Sequence, residues 1–512
     1  MKAIVIGSGL SGLMSAALLA SDGVQVTVYE QNNEIGGVTA LIQRNGYSWE
    51  QGPLLLGWLL PEEPAYEALK KIGIQVNFIR SDRGIVMPDY EMWKPDVYAG
   101  PLWRKERLKA LFPEETKGID QYYRFYDAMV KLSLLGREKD SLSKKIGMAF
   151  QWLKVKQYAN MNAQELMEHF FKSEKIRTLF TGILADFCAS PREFQGLGVP
   201  FVNIETAFDV RIPLFERGKK VRDGYCYIRG SVAELVRQLA KCIRDHGGII
   251  HTGSAVTKIL ISENRVQGVR LANGEAESAD LVIASGGGKE VFYDLVGKEY
   301  LDAKYQRILE MFRPMESVFM VHLGIDIDPL LYQKSALCYY YGTYDLESSI
   351  QKLRSGIFHE GKDGFLLYVP SHHNPELAPA GHHCLTIYTI APDTLKDGDW
   401  ERDKEIYAAK LIELAEKHIP DLSKHIQEQV IRTPLDYRKL AYLKKSAFGG
   451  TVPVMGVQNP PHVTSVEGLY FVGQQSENGG GVSTVIVGAQ ATFELIKQKY
   501  TTKQSEVSNG KI

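Results

Sequence analysis

Cysteine is scarce in this chain of 512 residues. Cys188, Cys226, Cys242, Cys338 and Cys384 are odd in number and scattered, and no CxxC pair occurs. A disulfide framework and a cysteine zinc site are therefore not expected, no metal is called, and a reducing, cytoplasmic compartment is the expectation. A charge excess is missing too: the formal net charge is −1, which gives no overall pull toward nucleic acid. No run of about 18 apolar residues stands out, so no membrane span is expected. The apolar stretch from Ala3 to Ala20 lacks a basic leader and carries regularly spaced glycines, which argues against a signal peptide. No internal repeat is visible. Hydrophobic content of 44% and charged content of 24% are ordinary globular values, and the length allows two or three domains. The polar tail, residues 501–512, is expected to be disordered.

What is present begins at the second residue. Lys2 to Ile6 reads as a short buried strand, Gly7-Ser8-Gly9-Leu10-Ser11-Gly12 follows, Ser11 to Ser21 reads as a helix and Gln25 to Tyr29 as the next strand, closed by Glu30 and Gln31. Three glycines at a strand-to-helix turn permit a tight turn, close approach of backbone to a pyrophosphate, and close packing of helix on strand. The helix N-terminus offers free amides to phosphates. An acid at the end of the second strand can accept hydrogen bonds from ribose hydroxyls. This context predicts a Rossmann-like dinucleotide site.

A second glycine pair, Gly36-Gly37, follows the acid, and Asn45-Gly46 leads through a strand to Gly52-Pro53. The order GxGxxG, acid, GG and strand ending in glycine resembles the family of phytoene desaturases, carotenoid isomerases and retinol saturases, two-domain FAD enzymes of amine-oxidase-like architecture. The resemblance implies non-covalent FAD held by Gly7, Ser8, Gly9, Leu10, Ser11, Gly12, Glu30, Gln31, Gly36, Gly37, Gly52 and Pro53. Val38 stands where the family often has a basic residue, with Arg44 six positions later.

Residues 230–284 read as helix, strand, hairpin and final apolar strand, the block that returns the chain to the FAD domain in such proteins. The resemblance implies a backbone contact from Val256 to the adenine, with plain sheet structure as the alternative. Gly286-Gly287-Gly288 reads as a crossover passing close to the cofactor or as a flexible turn. No second βαβ unit with an acidic partner follows it, so NAD(P) is left open only as an external electron partner. Near the C-terminus, Leu469 to Val472 is an apolar strand ended by Gly473. Gly479-Gly480-Gly481-Val482 then opens a helix from about Ser483. This resembles the closing flavin motif of the family and implies contacts from Gly473, Gly480, Gly481 and Val482, the helix N-terminus stabilising negative charge on reduced flavin. Glu477, just before that cluster, is a weak candidate for moving protons; a solvated loop acid is the alternative.

Two segments interrupt the flavin part. The reading assigns residues 1–75, 222–290 and 427–500 to a discontinuous α/β FAD-binding domain, and 76–221 and 291–426 to an α+β substrate domain. Helices are predicted at Gly118 to Leu134, Ser143 to Ala159, Asn162 to Lys172 and Glu174 to Phe187, and strands at Ser317 to His322, Ala336 to Tyr341, Gly364 to Val369 and Cys384 to Ile390. The stretches from Pro370 to His382 and from Thr433 to Gly450 again resemble the family. The histidines His372, His373, His382 and His383 sit on a Pro- and Gly-rich loop and read as a turn. Residues 101–160 hold 13 Lys/Arg against 7 Asp/Glu, with Trp103, Phe112, Phe150 and Trp152 among them. Together with the loop Leu54 to Leu60 they form either a peripheral membrane contact or a solvated basic face plus a buried loop.

The resemblance implies an oxidoreductase acting on carbon–carbon double bonds of a hydrophobic isoprenoid or polyene by desaturation, saturation or cis-trans isomerisation. Two alternatives stand beside it: an amine-oxidase-like flavoenzyme, and a non-enzymatic prenyl-binding carrier resembling GDP-dissociation inhibitors. Oligomeric state is left open.

Overall fold

The computed structural model describes residues 1–52, 54–446, 448 and 450–509. The first sheet is five-stranded and wholly parallel, in the order Ile249–His251, Gln25–Tyr29, Lys2–Ile6, Leu281–Ala284, Leu469–Phe471. Both faces are covered, which is why its central strands are almost uninterrupted Val, Ile and Leu. The two-residue period of a strand sorts the covering. Ala3 and Val5 join the core formed with the helices Leu10–Ser21, Val232–Asp245 and Val482–Asn509. Ile4 and Ile6 join the core on the other face, against the meander Val256–Ser262, Arg265–Leu271, Ala276–Ser278. The first strand, at the N-terminus of the chain, and the edge strand Leu469–Phe471 near its C-terminus thus belong to one sheet.

The second sheet has seven strands, ordered Ile426–Arg432, Ser317–Ile325, His383–Ala391, Gly364–Tyr368, Leu337–Tyr341, Arg83–Val86, Glu91–Met92. Only the pairing of Arg83–Val86 with Leu337–Tyr341 is parallel, and it sets Arg83 opposite Leu337. Alternation again divides the residues. Leu337, Tyr339, Leu366, Tyr368 and Tyr388 face the core shared with the helical segment that follows Trp103. Cys338, Tyr340, Leu367 and Ile387 face the core covered by the helix Trp400–Glu416.

Two boundaries differ from the sequence reading. Ile426–Arg432, placed at the return to the flavin part, pairs with Ser317–Ile325 and extends the substrate sheet to Arg432. Residues 291–312, placed in the substrate part, contribute Val291, Phe292, Leu295, Leu309 and Phe312 to the core beneath the first sheet. The last helix is Val482–Asn509, and residues 510–512 of the polar tail lie outside the described residues.

A buried carboxylate ties the two halves together. Glu50, at the end of the strand Tyr47–Glu50, accepts from the backbone N–H of Val232 at 2.9 Å and from the Tyr368 hydroxyl at 3.4 Å. It therefore links the start of a flavin-side helix to a strand of the substrate sheet. Burial pushes its carboxyl up to about 7, against the hydrogen bonds that favour the anion. Below about pH 4.5 the group is protonated in both folded and unfolded chains. Between there and pH 7 the unfolded chain ionises first, so stability falls as pH rises and levels off above pH 7. Glu50→Gln should remove up to about 3 kcal/mol of that pH-dependent loss. Thermal unfolding from pH 4.5 to 8 should give a flatter Tm profile for the variant; parallel profiles would refute the assignment.

Candidate functional site

A cavity of about 430 Å³ runs from the first glycine loop to the inner face of the seven-stranded sheet. At its flavin end the chain folds as its glycines demand. Gly7 turns with φ of +91°, and a Cβ on Gly12 would lie 2.1 Å from the Gly7 carbonyl oxygen, so Gly12 serves helix packing and stands off the cavity wall. Gly9 differs: a Cβ there would meet no protein atom within 4 Å, and the residue lines the cavity. The helix Leu10–Ser21 starts at Gly9 without a side-chain cap and without an acid in its first turn, leaving its first amides and partial positive charge for a ligand. Gly36 N–H donates to the Ser8 carbonyl at 2.9 Å, which locks the second glycine pair onto the first loop.

Glu30 is buried at the end of its strand and lines the same space. Oε2 accepts from the Ser8 amide and hydroxyl, both at 2.7 Å; Oε1 accepts from the Asn32 amide at 2.8 Å and side-chain Nδ2 at 2.9 Å. The two backbone donors fix the carboxylate. The two side-chain donors can rotate, so ribose hydroxyls can take their places. Asn32 was not singled out in the sequence, although its position two residues past the acid suits an Asx contact.

The other end of the chain closes the site. Gly473, Gln474, Gly480, Gly481 and Val482 line the cavity, followed by Ser483, Thr484 and Val485 in the first turn of the helix Val482–Asn509. That turn also lacks an acid. A Cβ on Gly480 would meet nothing within 4 Å. Leu10, Ser11, Gln31, Gly36, Gly37, Gly52 and Val256 also line the wall; Ser8 stands behind it on Glu30, and Pro53 lies outside the described residues. Of the triple glycine, Gly286 reaches the cavity, while Gly288 N–H donates to Gln475 Oε1.

Several candidate residues stand elsewhere. Glu477 is not on the wall: its side chain is 40% exposed and accepts from His462 N–H at 2.7 Å, a loop-fixing role rather than a proton-transfer one. Arg44 points away and pairs with Glu428 at 3.1 Å. His373 bonds Ser81 and His382 bonds Tyr47, two separate anchors. Cys384 is buried with its thiol directed at the Ser48 and Leu377 carbonyls. The loop Leu54 to Leu60 is buried or half-buried, with Leu54, Leu55 and Trp58 on the cavity wall.

The substrate end was not legible in the sequence. Its wall is mainly apolar, with Leu54, Ile183, Met315, Leu337 and Leu366 prominent, and Tyr225, Tyr339 and Tyr388 among them. Two charged residues interrupt it. Arg83 is buried, and Asp186 comes from the 3-10 turn Gly182–Phe187. Burial pushes the Asp186 carboxyl up to about 7, while the Tyr339 hydrogen bond and the charge of Arg83 hold it lower.

FAD fits this geometry on the chain's own terms. Space opens where Cβ atoms are missing at Gly9 and Gly480, two uncapped helix N-termini meet one cavity, and a carboxylate stands at the strand end. Gly9→Val should leave unfolding of the flavin-free protein within about 0.5 kcal/mol of the parent, because no protein atom is displaced, while weakening FAD binding at least about tenfold. Gly12→Ala should instead lower stability outright. Titration of apoprotein with FAD and thermal unfolding together separate these outcomes; unchanged flavin affinity in Gly9→Val would contradict the placement.

Comparison with known proteins agrees with this geometry. The chain is 25% identical to the chloroplastic prolycopene isomerase of Daucus carota over 509 residues, 94% of this chain and 78% of that protein. It is 26% identical to 4,4'-diaponeurosporene oxygenase of Staphylococcus aureus over 519 residues, 97% and 98% of the two chains. It is 25% identical to 4,4'-diapophytoene desaturase (4,4'-diaponeurosporene-forming) of Staphylococcus haemolyticus, with the same coverage. Among solved structures, an oxidoreductase from Methanosarcina mazei shares the fold with a TM-score of 0.64 at 19% identity, over 96% of this chain and all of that one. A putrescine oxidase variant does so with a TM-score of 0.63 at 13% identity, over 97% and 99%. The model of flavin containing amine oxidoreductases matches residues 10–491, and the chain belongs to that family of FAD-dependent oxidoreductases.

Proposed function

We propose that this FAD-dependent oxidoreductase acts on carbon–carbon double bonds of a hydrophobic isoprenoid or polyene, by desaturation, saturation or cis-trans isomerisation. The observation that carries the reading is the apolar wall that continues the flavin cavity into the substrate half, from Leu54 and Leu55 to Ile183, Met315, Leu337 and Leu366. A hydrocarbon chain has no polar handle, so shape and exclusion of water must hold it. The relatives named above, similar over nearly the full length of this chain, carry carotenoid names, which supports the same class. When bound, FAD supplies the hydride acceptor or donor. The chain supplies the rest. The amides after Gly9 would hold phosphate, Glu30 would hold ribose, and the helix start at Gly480 to Ser483 would offer positive potential to the flavin ring. NAD(P) enters this reading only as an external electron partner.

Amine oxidation is disfavoured by one residue. A protonated amine would share the cavity with Arg83, which is buried and has no ion-pair partner among the described residues. Like charge in a dry pocket raises the cost of binding. Anaerobic mixing of the purified protein with carotenoid, retinoid, prenyl-lipid and amine panels tests the reading. Polyenes that donate electrons should bleach the oxidised flavin; bleaching by amines alone would overturn it.

The reading includes delivery from a lipid surface. In the helix Leu142–Val155, Leu142, Ile146, Phe150 and Leu153 are 75%, 61%, 58% and 61% exposed, at spacings that make one stripe. Lys144, Lys145, Lys154 and Lys156 flank it, and Trp152 is also exposed, the composition of an interfacial helix. Trp103 and Phe112, from the same basic stretch, are buried and take no part. Among the described residues no helix is long and apolar enough to cross a membrane. The triple change Ile146→Asp, Phe150→Asp, Leu153→Asp should cut co-sedimentation with anionic phospholipid vesicles at least about tenfold and leave flavin content unchanged. Unchanged sedimentation would remove the membrane from the account.

A further inference from the structure

Arg83 and Arg104 are two buried guanidiniums packed near one ring, that of Phe208. The carbon of Arg104 lies 3.9 Å from the Phe208 centroid, and that of Arg83 lies 5.0 Å from it. Their environments differ. Arg104 stands off the cavity and has a carboxylate, Glu205, at 3.0 Å, itself bonded by the Tyr123 hydroxyl. Arg83 stands on the cavity wall at 3% exposure. Its Nη2 donates to the Val202 carbonyl at 2.6 Å, Nε has no partner, and no carboxylate of the described residues lies within ion-pair distance. Around it are the rings of Phe208, Tyr225 and Tyr339. A buried charge is tolerated when it is paired, and this chain pairs the one that faces only protein.

We propose that Arg83 is a substrate-recognition residue that binds a carboxylate on the end of an otherwise apolar polyene. The inference rests on the polyene reading and narrows it to a chain with an anionic end. A hydrocarbon end would leave the guanidinium unmatched in an apolar cavity, and a cationic end would add a second positive charge. A carboxylate matches the planar fork of donors and charge together. Asp186 and Tyr339 bound the same place, forming part of the wall between the main cavity and a smaller pocket of about 30 Å³, so the apolar channel ends against polar groups. The Asp186 carboxyl, raised by burial to about 7, can keep its proton beside an anion at and below neutrality.

The test compares two probes with one C20 chain, retinoate and retinol, bound to the FAD-loaded protein and followed by quenching of intrinsic tryptophan fluorescence. The parent protein should bind retinoate at least about tenfold more tightly than retinol, the size of one charge-assisted contact. Arg83→Met should bring the two within about twofold by weakening retinoate alone. Arg83→Lys, which keeps charge without the fork, should give an intermediate ratio and serves where Arg83→Met fails to load flavin. Equal affinities in the parent, or a ratio unchanged in both variants, would overturn the assignment while leaving the polyene reading intact. Failure of both probes, and of the corresponding hydrocarbon, to bind would overturn the polyene reading together with it.

Discussion

Two helix N-termini from opposite ends of the chain meet at one cavity, and the fold is arranged around that convergence. The helix starting at Leu10 and the helix starting at Val482 flank the same sheet, and neither carries an acid in its first turn. Each contributes unpaired amides and about half a positive charge. Such ends are stabilised by an anionic or electron-rich ligand rather than by protein. Glycine at positions 9 and 480 keeps side chains out of the space between. The parallel sheet is what makes this possible, since strands Lys2–Ile6, Leu281–Ala284 and Leu469–Phe471 lie side by side although their sequence positions are far apart.

The substrate half follows from a second constraint, the alternation of the seven-stranded sheet. One face of Leu337–Tyr341 and Gly364–Tyr368 supplies Leu337, Tyr339 and Leu366 to the cavity; the other packs beneath Trp400–Glu416. The first sheet's glycines and the second sheet's inner face line one space, which continues from the glycine loops to Arg83. Glu50 helps to hold the halves in that register from a buried position between them.

The nucleotide site was legible because its signals are local. A GxGxxG turn, an acid at the end of the next strand and a glycine-led final helix each fit within a few residues, and the positions named from them include most of the flavin-end wall. The substrate site was not legible, because Arg83, Asp186 and Tyr339 come from three distant segments and meet only through the parallel pairing of Arg83–Val86 with Leu337–Tyr341 and the turn Gly182–Phe187. No periodicity marks a lone arginine at a strand start as buried. Glu477 sits as a part-exposed loop acid: proximity in sequence to the glycine cluster does not bring its side chain to the wall, and the His462 N–H holds it aside. The boundary near residue 426 shifted because a seven-residue strand with no fully buried position can join either sheet, and only the register with Ser317–Ile325 decides.

The most direct measurement is a crystal structure of the purified holoprotein with a bound polyene. The account requires one FAD per chain, its diphosphate over the amides that follow Gly9, its ring against Gly480 to Ser483, and the polyene running from that ring toward Arg83. A flavin seated elsewhere, or side chains filling the space beside Gly9 and Gly480, would contradict it.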